Sequence, residues 1–208
     1  MIDMTLLDAE QQDKVAIAIS EVEKTTDAEL VAVLAKRSDS YHYIPLLWAA
    51  LCALVTPAVL KFLPFWLEAS GVYAIQLAVF VVVAALLSIP ALSIRLIPKA
   101  VRFWRASNLA RRQFLENNLH CTEGEVGVLI FVSEAERYVE IIADRGINQH
   151  VDPKTWETIV ANFTEAVKRG ETLQGFLDCI QRCGELLREH VPATAQKNEL
   201  PNRLVVLN

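Results

Sequence analysis

Residues 125–147, EVGVLIFVSEAERYVEIIADRGI, decide the fold. The run 125–132 (EVGVLIFV) is apolar on both faces, as a strand buried in the middle of a sheet must be. Residues 133–137 form a polar turn, and 138–144 (YVEIIAD) read as a further strand. A turn this short pairs the two strands as an antiparallel hairpin. Arg145-Gly146 ends the unit.

Upstream, residues 28–35 (AELVAVLA) are another short run apolar on both faces, expected as a central strand. Ahead of it, residues 8–25 predict a helix: Asp8 caps, Gln11 follows three residues later, and Val15, Ile19 and Val22 form a stripe. Residues 103–118 predict a helix with Trp104, Leu109 and Phe114 roughly on one side. Downstream, Asp152-Pro153 opens a helix with a capping carboxylate and a proline at the first position. Its buried stripe is Trp156, Ile159, Phe163 and Val167, and Gly170 ends it. Thr172 can cap a last helix, striped by Leu173, Phe176, Ile180, Gly184 and Leu187. Residues 204–207, apolar after a polar tail, are either an added edge strand or a segment lying on the core.

Between these flanks the composition changes. The chain is 53% hydrophobic and 22% charged, with a mean hydropathy of +0.29. The apolar excess is concentrated: from Ile44 to Ile94 only Lys61 and Glu68 carry charge. Residues 72–94 hold 23 residues without a charge, about 34 Å of α-helix against a hydrocarbon layer of about 30 Å. Residues 44–67 form a first segment interrupted by Pro45, Pro57 and Pro64, with Lys61 placed to snorkel near its far end. A short turn at about 68–71 makes the segments antiparallel neighbours with both soluble flanks on one side. Tyr41, Tyr43 and Trp48 mark the entry, Phe65, Trp66 and Tyr73 the turn, and Phe103 and Trp104 the exit, as interfacial aromatics do.

The basic residues orient this hairpin. Arg95, Lys99, Arg102, Arg105, Arg111 and Arg112 follow the second segment with no acid among them, which places the flanks in the cytoplasm. Arg95, Lys99, Arg102 and Arg105 form a lipid-facing basic cluster suited to anionic headgroups. The first fourteen residues lack a basic region followed by an apolar run, so no cleavable secretory signal is expected. The expected setting is the inner (plasma) membrane, crossed twice. The domains divide as 1–43 (first part of the soluble domain), 44–97 (hairpin), 98–190 (its remainder) and 191–208 (tail). The fold class is α/β: a small mixed sheet flanked by helices, interrupted by an α-helical transmembrane hairpin.

The net charge of -5 argues against a nucleic-acid partner. Cys52, Cys121, Cys179 and Cys183 contain no CxxC pair; Cys179 and Cys183, one turn apart, read as small apolar residues. No nucleophile elbow, HExxH, Walker lysine or dinucleotide-binding glycine motif occurs.

Five stretches resemble the TPM domain family: TTDAEL (25–30), the strand–turn–strand of 124–147, VDPKTWETIV (151–160), KRGETLQGFLDCI (168–180) and NELPNRL (198–204). More narrowly, the order of elements resembles bacterial membrane proteins of that family in which a two-helix hairpin interrupts the domain. The resemblance implies an α/β/α domain with a small mixed sheet, divalent-cation binding, and an acid phosphatase activity proposed for some relatives. Others act in photosystem repair or as receptor-associated membrane proteins. The relatives argued to be phosphatases carry a glycine-rich turn after the third strand; this chain has Asp144-Arg145-Gly146-Ile147, with a single glycine.

Carboxylates at strand ends are the candidate site. Glu140 and Asp144 share a strand face but stand about 13 Å apart along it, so Asp144 is the better ligand. Asp152 follows a short loop, and Asp27 or Glu29 precedes the first strand. Converged, Asp27 or Glu29, Asp144 and Asp152 would hold calcium or magnesium through oxygen, and through it a phosphate. Each has a plainer role: Asp152 as a helix cap, Glu140 as a solvent-facing strand residue, Asp144 paired with Arg145 or a turn amide, Asp27 and Glu29 as a strand start. Of His42, His120, His150 and His190, only His150 lies near the candidate site. The readings that follow are a non-enzymatic binding or assembly module for a membrane complex, partnered by lipid and by a membrane protein or a second copy; a metal-dependent phosphatase; and, with two spans and no ionisable residue mid-membrane, least of all a transporter.

Overall fold

The computed structural model describes residues 7–41, 43–62, 68–89, 96–194, 199–201 and 204–207. The chain divides into two compact units, Met1–Ser38 with Phe103–Asn208, and Asp39–Arg102.

In the first unit, α1 (Ala9–Glu23) leads into β1 (Glu29–Ala35). Asp8 caps α1 reciprocally: the Gln11 N–H donates to its carboxylate at 2.8 Å, and the Asp8 N–H donates to the Gln11 side chain at 3.0 Å. Helix α4 (Lys99–Glu116), whose residues from Phe103 onward belong to this unit, precedes β2 (Gly127–Ser133) and β3 (Tyr138–Ala143). A one-turn helix α5 (Arg145–Asn148), α6 (Pro153–Lys168), α7 (Thr172–His190) and β4 (Leu204–Leu207) complete it. Thr172 is not the cap of α7. It is buried as the first helical residue, and the preceding Glu171 makes no side-chain capping bond.

The strands form one mixed sheet in the order β3-β2-β1-β4. β1 runs parallel to β2, Glu29 opposite Gly127 through Ala35 opposite Ser133, and parallel to β4, Ala32 opposite Leu204. β2 and β3 are the expected antiparallel hairpin, Val128 opposite Ala143. All seven residues of β1 and of β2 are buried, because helices cover both faces. Leu30, Ala32, Leu34, Val128, Ile130 and Val132 pack against α1, α6 and α7. Val31, Val33, Ala35, Leu129 and Phe131 face α4 through Ala106, Ala110 and Phe114. Phe131 is wholly buried, which at about 25 cal/mol per Å² contributes roughly 2–3 kcal/mol.

The second unit contains α2 (Tyr43–Leu60) and α3 (Ala69–Leu87), which pack on one another. Their mean hydropathies are 2.0 and 2.3, and both are long and apolar enough to cross a membrane. α3 has no buried residue, and α2 exposes Leu46, Leu47, Leu51 and Leu54. The second helix starts at Ala69, so residues 69–71, expected in the turn, form its first helical turn. Phe65 and Trp66, expected at that turn, lie outside the described residues.

Candidate functional site

The sheet topology brings three of the four candidate carboxylates to one edge. β1 and β2 start there and β3 finishes there; Gly127 pairs with Glu29 on one side and accepts the Asp144 N–H at 2.9 Å on the other. Glu29 and Asp144 therefore sit two strands apart, about 10 Å in backbone terms. Each side chain is occupied separately. The Asp27 carboxylate accepts the Thr194 N–H at 3.0 and 3.1 Å and also the Thr194 hydroxyl. Glu29 is buried and accepts the N–H groups of Glu199 at 2.7 Å and Leu200 at 3.3 Å. Burial pushes its pKa up, and those two bonds pull it partly back.

Asp144 caps α5, accepting the Arg145 N–H at 2.7 Å, while its Oδ2 is buried without a hydrogen-bond partner. Asp152 caps α6, accepting the Lys154 N–H at 2.9 Å with Pro153 at the first helical position. Among the described residues, no three His, Cys, Asp or Glu side chains are placed to hold a metal ion together.

Of the basic cluster, Arg95 lies outside the described residues. Lys99, Arg102 and Arg105 recur every three residues at the start of α4, and the Arg105 guanidinium stands 5.0 Å from the ring centre of the exposed Trp104. His42 also lies outside the described residues. His150 and His190 stack with ring centres 6.2 Å apart.

The model of one protein family, described as the TPM domain, matches residues 95–186. Over those residues the chain is similar to the TPM domain. The matched stretch runs from before α4 into α7 and so includes β2, β3 and the caps at Asp144 and Asp152. A solved structure, the NMR structure of BA42 protein from the psychrophilic bacterium Bizionia argentinensis, superposes at a TM-score of 0.60 over 99% of this chain and 98% of that one. At 20% identity that likeness is one of fold. No curated protein matches the chain.

Within the matched stretch, the single glycine of the Asp144 turn has a packing reason. A Cβ on Gly146 would stand 2.2 Å from the Gly124 carbonyl oxygen and 2.8 Å from that of Glu125, and the Gly146 N–H donates to the Glu125 carbonyl at 2.9 Å. The turn after β3 is clamped onto the loop before β2.

Three carboxylates behave unlike their sequence context. Glu140, expected in solvent, is half-buried; it accepts the Ser107 hydroxyl of α4 at 3.2 Å, and its Oε2 is buried without a hydrogen-bond partner. Burial raises the pKa of its neighbour Tyr138, whose ring packs 5.1 Å from that of Phe103. Glu136 is buried at the other end of the sheet, where its carboxylate accepts the Ser38 N–H at 3.1 and 3.2 Å and the Ser133 hydroxyl. Open α/β sheets commonly bind ligands at the carboxyl ends of their parallel strands; here Glu136, Ser133 and Ser38 bond one another in that place.

Glu23, on the last turn of α1, is a strongly perturbed carboxylate. Burial drives its pKa up to about 8, against the pull of the Leu30 N–H it accepts, and the nearby Glu29 charge adds to the rise. The only signal for it in the sequence is its place four residues after the buried Ile19. Cys179 and Cys183 are buried in the core. The bond from Cys179, together with burial, pushes the Cys183 thiol well up, the condition of an inert thiol.

Proposed function

We propose that this protein is a membrane-anchored TPM domain that serves as a non-enzymatic binding or assembly module for a membrane complex. The observation that carries this reading is the second unit. Two adjoining helices are apolar all round and leave their large side chains exposed, Leu54 at 71% and Val55 at 56% among them. An exposed apolar surface of that kind calls for a lipid or protein covering. The cytoplasmic orientation is supported by Lys99, Arg102, Arg105, Arg111 and Arg112 after the second helix, against Lys61 and Glu68 between the helices. The same cations suit the anionic headgroups of the plasma-membrane leaflet they would face.

The phosphatase reading has less support, because Asp27, Glu29 and Asp152 are engaged with backbone N–H groups at separate places. Calcium or magnesium enters this proposal as a weakly held ion at Asp144, through its unpartnered oxygen.

Membrane fractions washed with alkaline carbonate test the anchor, and protease treatment of inside-out vesicles tests the orientation. The proposal expects retention in the pellet and digestion of the soluble domain in those vesicles. Release by carbonate would refute the anchor. Purified protein that turned over a phosphate ester, with loss of turnover in Asp144→Ala, would replace the module with an enzyme.

A further inference from the structure

Polar side chains inside a membrane helix must find a hydrogen-bond partner, since hydrocarbon offers none. In the hairpin two do so within their own helix: the Thr56 hydroxyl donates to the Cys52 carbonyl at 2.9 Å, and the Ser88 hydroxyl to that of Ala84 at 2.7 Å. Gln76 is different. It stands seven residues into α3, about 10 Å along the helix axis, and its side-chain amide has no partner among the described residues. It lines a cleft of about 360 Å³ between the helices, where α2 contributes the small Ala50 and Ala53 together with Leu54. Small residues at such a place let another backbone approach closely.

We propose that the occupant of this face is a second copy of the chain, seated by a two-fold axis along the membrane normal so that the two Gln76 amides bond each other. A primary amide carries both donor and acceptor. Two-fold symmetry turns that into a closed pair, each N–H donating to the opposite C=O, with one interface on each chain. The amide is thus its own complement, and no other group is required. A cationic or anionic partner would leave one half of each amide unmet.

This inference rests on the hairpin lying in a membrane, so its test reads both points. Full-length protein is purified in two batches, one carrying a donor and one an acceptor fluorophore, and mixed into phosphatidylcholine vesicles at falling protein-to-lipid ratios. Energy transfer beyond the random-encounter level is expected for the wild type. Gln76→Leu should weaken association roughly three- to thirty-fold, and Gln76→Asn should retain most of it. Carbonate washing of the same vesicles shows whether each variant is inserted. If the wild type washes off, the membrane reading fails and this inference with it. If it stays inserted but shows no transfer, or if Gln76→Leu associates as tightly as the wild type, the Gln76 pairing is overturned while the anchor stands.

Discussion

The Glu23 carboxylate at the end of α1 accepts the backbone N–H of Leu30 on β1 at 2.9 Å. β4 pairs with β1 only from Ala32 onward, so this side chain satisfies a strand N–H that the edge strand does not reach. Burial raises its pKa from 4.5 to about 8. Raised carboxyl values mean that the folded chain holds a proton the unfolded chain has lost, so stability falls as pH rises from about 4.5 to 8 and levels off above. Glu29, also raised, contributes with the same sign. Gln at position 23 keeps the acceptor for Leu30 and removes the charge. Melting curves of Glu23→Gln should match the wild type near pH 4.5 and exceed it above pH 8 by about 1–2 kcal/mol, after allowance for solvent screening. Parallel pH profiles for the two proteins would contradict this account.

Gly184 on α7 fixes how closely that helix approaches α1. A Cβ there would lie 2.7 and 2.9 Å from the two methyl carbons of Val22, and Val22 is buried in the same core cluster. Gly184→Ala is expected to destabilise the domain by roughly 1–3 kcal/mol. The clash names its own remedy: Val22→Ala should recover part of the loss in the double variant, giving a non-additive cycle. Additive losses would mean that α1 and α7 do not meet at this pair.

The Asp152 carboxylate acts on α6 by accepting the Lys154 N–H. Asp152→Ala should lower stability by about 1 kcal/mol, whereas Asp152→Ser, which also caps, should stay within a few tenths. A loss of the same size in the serine variant would assign Asp152 a role that its charge, and not its cap, supplies.

What the sequence reveals and what it hides follow from the range of the interactions. The runs 28–35 and 125–132 disclose buried strands because residues apolar on both faces have no other home in a small sheet, and Asp8 and Asp152 disclose helix starts because caps are local. Residues 204–207 were ambiguous for the opposite reason: their pairing with Ala32–Ala35 is set by a partner some 170 residues away in sequence. The turn expected at 68–71, between the segments 44–67 and 72–94, is displaced because Glu68 takes the extended cap conformation and residues 69–71 already belong to α3. Glu140 looked like a solvent-facing residue because alternation along β3 cannot show that α4 brings Ser107 over it. The engagement of Asp27 and Glu29 is hidden likewise, since Thr194, Glu199 and Leu200 reach them from the far end of the chain.

The proposal places its cation at Asp144. One of its oxygens is committed to the Arg145 N–H and the other is buried without a hydrogen-bond partner, while Gly146 holds the carbonyls of Gly124 and Glu125 close to the same turn. Calcium prefers six to eight oxygens, and a site offering one carboxylate and few carbonyls belongs to the weak class, with a Kd of about 10⁻⁴–10⁻³ M. Calcium titrated into the solubilised protein should therefore begin to raise the melting temperature only as it approaches the millimolar range, the rise corresponding to about 1.4 kcal/mol of added stability at ten times Kd and growing with the logarithm of concentration beyond it. Asp144→Ala should abolish the dependence on calcium whatever it does to the starting temperature. Asp152→Ala, at the start of a different helix, should leave that dependence intact while lowering the whole curve. If calcium fails to move the wild type, Asp144 is a helix cap alone; if Asp152→Ala also removes the response, the two carboxylates share one ion and the weak single-carboxylate site is wrong.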